Sequence, residues 1–121
     1  MKVFVYFNLH KHCFSVKALE GERKGKVVAH LDAVNLKDVT FKVSKAGRER
    51  VLREKRKNVH AGVVGSFVSW METPDLGKLV RYNPYHTDTF VDIVGKPVHN
   101  AKFARLSVRY EDKRPMIFVG G

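Results

Sequence analysis

The chain has 121 residues, with 44% hydrophobic and 29% charged side chains. That is enough apolar material to bury a core, and it excludes a wholly disordered protein. Its formal net charge of +11 excludes an acidic solvating chain and points to an anionic partner such as nucleic acid. One domain, 1–121, is the expectation from length.

The charge is lopsided: residues 1–60 hold 15 basic and 6 acidic side chains, residues 61–121 hold 8 and 6. Cys13 stands alone, so an internal disulfide and Cys-rich zinc motifs are ruled out. The opening MKVFVYFNLHKHC lacks the apolar core and cleavage site of a signal peptide, and no run approaches about eighteen apolar residues. The expected location is therefore the cytoplasm, with no membrane partner.

Residues 2–9 alternate, with Val3, Val5, Phe7 and Leu9 opposite Lys2, Phe4, Tyr6 and Asn8. Period-two alternation predicts a strand, and Phe4 with Tyr6 implies that both faces are partly covered. Asn8–Lys11 turns the chain, and His12–Leu19 alternates again, giving a first hairpin. Gly21–Gly25 is a charged turn bounded by glycines, and Lys26–Leu31 is a third strand. Asp32–Lys37 reads equally as a bent strand or an irregular turn, and Val39–Val43 as a strand.

The most unusual stretch follows. Between Arg48 and Lys57 six basic and two acidic side chains are interrupted only by Val51 and Leu52. Ser44 is a good N-cap, and Arg, Leu, Glu and Lys favour helix, so about three helical turns start there. At 100° per residue Val51, Leu52 and Val59 share one face, with Arg48 and Lys55 beside them. Arg50, Arg53 and Lys57 line the other. Glu49 can pair with Arg53 and Glu54 with Arg50, each worth about 0.3 kcal/mol.

Val59–Trp70 is a strand holding Gly62 and Gly65, a pattern that marks a bulge or a close backbone approach. Met71–Lys78, with Pro74 and Gly77, is a loop. Tyr82–His86 is a turn in which Pro84 extends Asn83. Phe90–Val94, Ala101–Tyr110 and Met116–Val119 complete the strands, and Arg105 and Arg109 share a strand face. The expected fold class is α+β: one curved, mostly antiparallel sheet, able to close part of the way into a barrel, with one basic helix.

The segments NLHKHCFSV, VVAH and GRERVLREKRKNVHAGVVG resemble a family of short basic proteins encoded by tailed bacteriophages and prophages, whose NLHK-like start, AH pair and basic GR-x-R-V-L…K-N-V-H-A segment correspond to Asn8–Lys11, Ala29–His30 and Gly47–Ala61. The YNP segment Tyr82–Pro84 extends the resemblance more weakly. It implies a phage accessory protein working in the host cytoplasm, and it brings no established activity with it.

Two chemistries compete for the basic and histidine residues. Arg48, Arg50, Arg53, Lys55, Arg56 and Lys57 form a ladder for phosphates, and Phe4, Tyr6 and Phe14 offer stacking surfaces if their sheet face is open. The expected function is binding of RNA or single-stranded nucleic acid, since no duplex-reading motif appears.

The alternative is a metal-independent ribonuclease. If the early strands pair in order, His10, His30 and His60 gather at one sheet end. One imidazole would take the 2′-OH proton, a second would protonate the leaving oxygen, and Arg48 or Lys11 would stabilise the charged phosphorane. Each histidine is otherwise an ordinary surface or hydrogen-bonded residue. His10 and His12 share a strand face but lack a diagnostic metal set, so no metal or cofactor is expected. A third reading is a modulator that covers an acidic surface of a host protein. Oligomeric state is not legible.

Overall fold

The computed structural model describes residues 1–56, 58–68 and 77–120. Within them the chain forms β1 (Lys2–Asn8), β2 (Cys13–Ala18), β3 (Val27–Leu31), β4 (Ala33–Val43), α1 (Lys45–Glu54), β5 (Ala61–Val68), β6 (Lys78–Arg81), β7 (Val91–Asp92), β8 (Asn100–Val108) and β9 (Pro115–Gly120). All nine strands join one antiparallel sheet in the order β3-β2-β1-β5-β4-β8-β9-β6-β7.

This corrects the α+β expectation. The described residues are mostly β, with one ten-residue helix beside a nine-stranded sheet. Two segments account for the difference. Asp32–Lys37, ambiguous in sequence, belongs mainly to β4, which runs eleven residues through a bulge at Asp38, where φ is 53°. The four-residue strand β6 carries no readable alternation, and pairing with β9 makes it a strand. In the other direction, Phe90–Val94 shrinks to the two residues of β7, because Asp92–Gly95 turns back on itself.

Pairing does not follow chain order either. β1 lies between β2 and β5, and β4 lies between β5 and β8. The sheet stays open, with β3 and β7 as its edges. It nevertheless curls, because β3 and β4 are joined through Asp32 alone although three strands separate them in the sheet. Asp32 O accepts a hydrogen bond from Val108 N at 2.8 Å, drawing that corner onto the end of β8.

The concave face carries the core: Val3, Val5, Phe14, Val16, Leu36, Val63, Ala104, Leu106 and Val119 are all buried. Phe14, expected as a stacking surface, is 1% exposed. Its place opposite Phe7 puts it on the inward-facing set of the β1–β2 hairpin, so it cannot meet a base. The Met71–Lys78 loop lies almost wholly outside the described residues, as do Trp70 at the end of the expected Val59–Trp70 strand and Lys57 at the end of the basic run.

Candidate nucleic-acid interface

The basic helix is built as its sequence requires. Ser44 caps it by accepting from Gly47 N at 3.2 Å, and Lys55 ends it in the left-handed conformation, donating its N–H to Val51 O. Val51 is its buried anchor. Gly47 admits the close approach to His60, just ahead of β5: a Cβ there would sit 2.6 Å from His60 Cβ.

Arg48 also faces inward. Its single Nε–H is shared between Pro84 O at 3.1 Å and Thr87 O at 3.0 Å, so it ties the helix to the Tyr82–Phe90 loop. Arg50, Arg53, Lys55 and Arg56 stay exposed. The anticipated Glu49–Arg53 and Glu54–Arg50 contacts are not among the ion pairs of the described residues, which lie instead on Asp92, Glu111 and Asp112. Arg50 and Arg53 on the helix and Lys55 and Arg56 at its C-terminal end therefore present four cations to solvent, and Lys45 in the first turn adds a fifth.

The histidines fall into separate settings. His10 and Lys11 are exposed in the β1–β2 turn, where their backbone N–H groups donate to Asn8 Oδ1 at 3.0 Å. His12 adopts φ 55° and sets its ring edge on Phe7. His30 shares a 2.9 Å hydrogen bond with Oγ of the buried Ser15, which also accepts from Asn8 Nδ2 at 3.1 Å.

His60 belongs to another network. Its Nδ1 is 2.9 Å from Asn58 O, which can only accept, so Nδ1 carries the proton and Nε2 accepts from the Tyr82 hydroxyl at 2.8 Å. Behind this pair Phe90 stacks on Tyr82 at 5.1 Å, and Phe41 meets Phe90 at a tilt with centroids 4.9 Å apart. Burial pushes the Tyr82 hydroxyl above its ordinary value, against the pull of the Arg48 charge beside it. Among the described residues no hydrogen bond or ring contact joins His10, His30 and His60 to one another.

A mostly apolar cavity of about 470 Å³ opens on the concave side beneath the helix, with Phe7, Phe14, Val51, His60, Tyr82 and Phe90 in its wall. Among the described residues no three His, Cys, Asp or Glu side chains gather to hold a metal ion. No helix of these residues is long and apolar enough to cross a membrane.

The four segments singled out in sequence thus meet in two places. Asn8 and His30 meet through Ser15, while Gly47, Arg48, His60, Tyr82 and Pro84 tie the helix to the residues just before β5 and just after β6. Sequence reasoning missed both Ser15, whose partners lie seven and fifteen residues away, and Tyr82, whose hydroxyl meets a histidine across 22 residues.

This architecture defines a small, mostly β protein with a cluster of exposed cations at the end of its one short helix. The chain belongs to the family of Mycobacterium phage L5 gene 82 protein, which it matches over residues 1–111. It is 45% identical over 97 residues to the Gene 82 protein of Mycobacterium phage L5, covering 75% of this chain and 77% of that protein. No solved structure matches it.

Proposed function

We propose that the protein binds nucleic acid through the exposed edge of α1. One observation carries this reading: the helix is anchored by Val51 and Arg48, which leaves Arg50, Arg53, Lys55 and Arg56 exposed on a chain of net charge +11. Clustered cations release condensed counterions from phosphates, a gain that needs no base-specific contact. Arg48 positions the helix and is not part of the ladder.

The test is a salt titration of binding to labelled single-stranded and duplex oligonucleotides, in EDTA, for wild type and for Arg50→Gln/Arg53→Gln/Arg56→Gln. The variant is expected to bind more weakly, and its slope of log affinity against log salt should fall by about two to three. A slope equal to wild type would remove the helix from the interface. Shortened RNA in EDTA would favour the histidine ribonuclease reading, tested next at His10, His30 and His60. Neither binding nor cleavage would bring forward capture of an acidic host protein.

A further inference from the structure

The register of the sheet assembles a second surface that no single stretch of sequence displays. Lys2, Phe4 and Tyr6 on β1 point away from the core, since Val3 and Val5 are buried. Phe4 pairs with Lys17 on β2 and Val64 on β5, which puts Thr40 of β4 on the same face. Beyond the β4 bulge, Lys2 pairs with Ser66, Ser66 with Lys37, and Lys37 with Phe103 on β8. Two residues further on, Arg105 pairs with Asn35 on one side and Phe118 of β9 on the other.

Three aromatic rings therefore stand directly opposite a cation: Phe4 with Lys17, Phe103 with Lys37, and Phe118 with Arg105. Lys42 opposite Gly62 adds another charge. Phe4, Tyr6, Phe103 and Phe118 are half-buried, and none of them packs against the core.

Phe4 sits against its neighbour: a Cβ on Gly62 would come 2.5 Å from Phe4 Cζ and 2.7 Å from Cε1, so the ring covers the β5 backbone at Gly62 while staying half-exposed. Tyr6 continues it, with ring centroids 5.8 Å apart. Arg105 is steadied by a 3.1 Å hydrogen bond from Nη1 to Asn35 Oδ1. The paired rows hold no acidic side chain among the described residues, and Asp38 sits unpaired with β5 in the β4 bulge.

We infer that this outer face is a stacking platform for unpaired bases, and that the nucleic acid the protein takes is single-stranded. The inference rests on the nucleic-acid reading above and names its substrate class. Flat rings accept any unstacked base, and alternating cations follow the backbone between them. A duplex keeps its bases inside the stack and offers such rings nothing. From β1 to β9 the platform spans four strand spacings, about 19 Å. Charge complementarity selects the occupant. A second copy of this face would set lysines and arginines against one another, whereas a polyanion neutralises them.

The test uses the full chain, a mixed single-stranded DNA of about 12 nucleotides containing 5-bromouracil, and the matching duplex. Affinities come from fluorescence anisotropy, and contact sites from photocrosslinking with peptide mapping. Tyr6→Ala/Phe118→Ala should lose roughly tenfold or more in single-strand affinity for each ring, at an unchanged salt slope and unchanged duplex affinity. Lys37→Gln/Arg105→Gln, both exposed and outside the core, should lower the single-strand salt slope by about 1.4.

In wild type the crosslinks should map to β1, β8 or β9. Unchanged single-strand affinity in both variants, with crosslinks confined to α1, overturns the platform while leaving the helix interface standing. A wild type that binds neither oligonucleotide removes both. A dimer dispersed by Tyr6→Ala/Phe118→Ala would give the face to a second copy and overturn the inference.

Discussion

Arg48 separates an arginine that holds the fold from those that meet the solvent. Replacing it with methionine keeps most of the apolar stem and removes the guanidinium. The structure gives the magnitude. One Nε–H is divided between Pro84 O and Thr87 O, so the loss counts as one charged hydrogen bond and not two. Such a bond contributes about 1.5–3 kcal/mol, and water can reach the half-exposed loop once the side chain is gone, so about 2 kcal/mol is expected.

For a chain of this length that corresponds to a fall in melting temperature of roughly 8 °C. The assay is urea unfolding followed by circular dichroism, run beside the oligonucleotide titration. Arg48→Met should unfold at clearly lower urea while its binding slope changes by no more than about one charge. Arg50→Gln should do the reverse, changing stability by less than about 0.5 kcal/mol. If Arg48→Met kept wild-type stability but lost binding as the helix variants do, the assignment of Arg48 as a tie between helix and loop would be wrong.

Two further outcomes follow from packing and charge. Gly62→Ala should destabilise by about 1–3 kcal/mol despite the usual gain from restricting the unfolded chain. The new Cβ would meet Val5 O at 2.6 Å as well as the Phe4 ring, so adding Phe4→Ala should recover only part of the loss. A melt at or above wild type would disprove the contact. Asp92 accepts from Lys96 N at 2.9 Å and Val94 N at 3.0 Å and pairs with Lys78 at 3.4 Å. The Lys96 N–H leads these groups in holding its carboxyl below the ordinary 3.8, against the opposing push of burial. Its contribution is therefore complete above about pH 4 and is lost as pH falls through the lowered value. The stability gap between wild type and Asp92→Asn should shrink between about pH 6 and pH 2; a gap that widens on acidification would reverse the sign of the argument.

Much of the local structure was written in short-range pattern. Alternation over Lys2–Asn8 and Cys13–Ala18 with a polar turn between them gave the first hairpin, and Ser44 with the spacing of Arg48 and Val51 gave the helix and its inward edge. β4 was legible only in part, with Val39–Val43 a strand and Asp32–Lys37 left between a bent strand and a turn, because a left-handed Asp38 interrupts its alternation without ending its pairing. β6 escaped because four residues are too few to show a period. These two strands turned an expected α+β balance into a mostly β sheet.

The sequence by itself determined which side chains share a face of each strand, because successive residues alternate whatever the neighbouring strand is. It also determined the excess of positive charge and its concentration near α1. Which strands lie side by side was decided only by the tertiary structure, since pairing is settled by burying each strand's apolar set against partners distant in the chain. That is why Lys37 stands opposite Phe103, 66 residues away, and Arg105 opposite Phe118, while Arg48 reaches the carbonyls of Pro84 and Thr87. The cations were legible one by one; their partners exist only in the folded sheet.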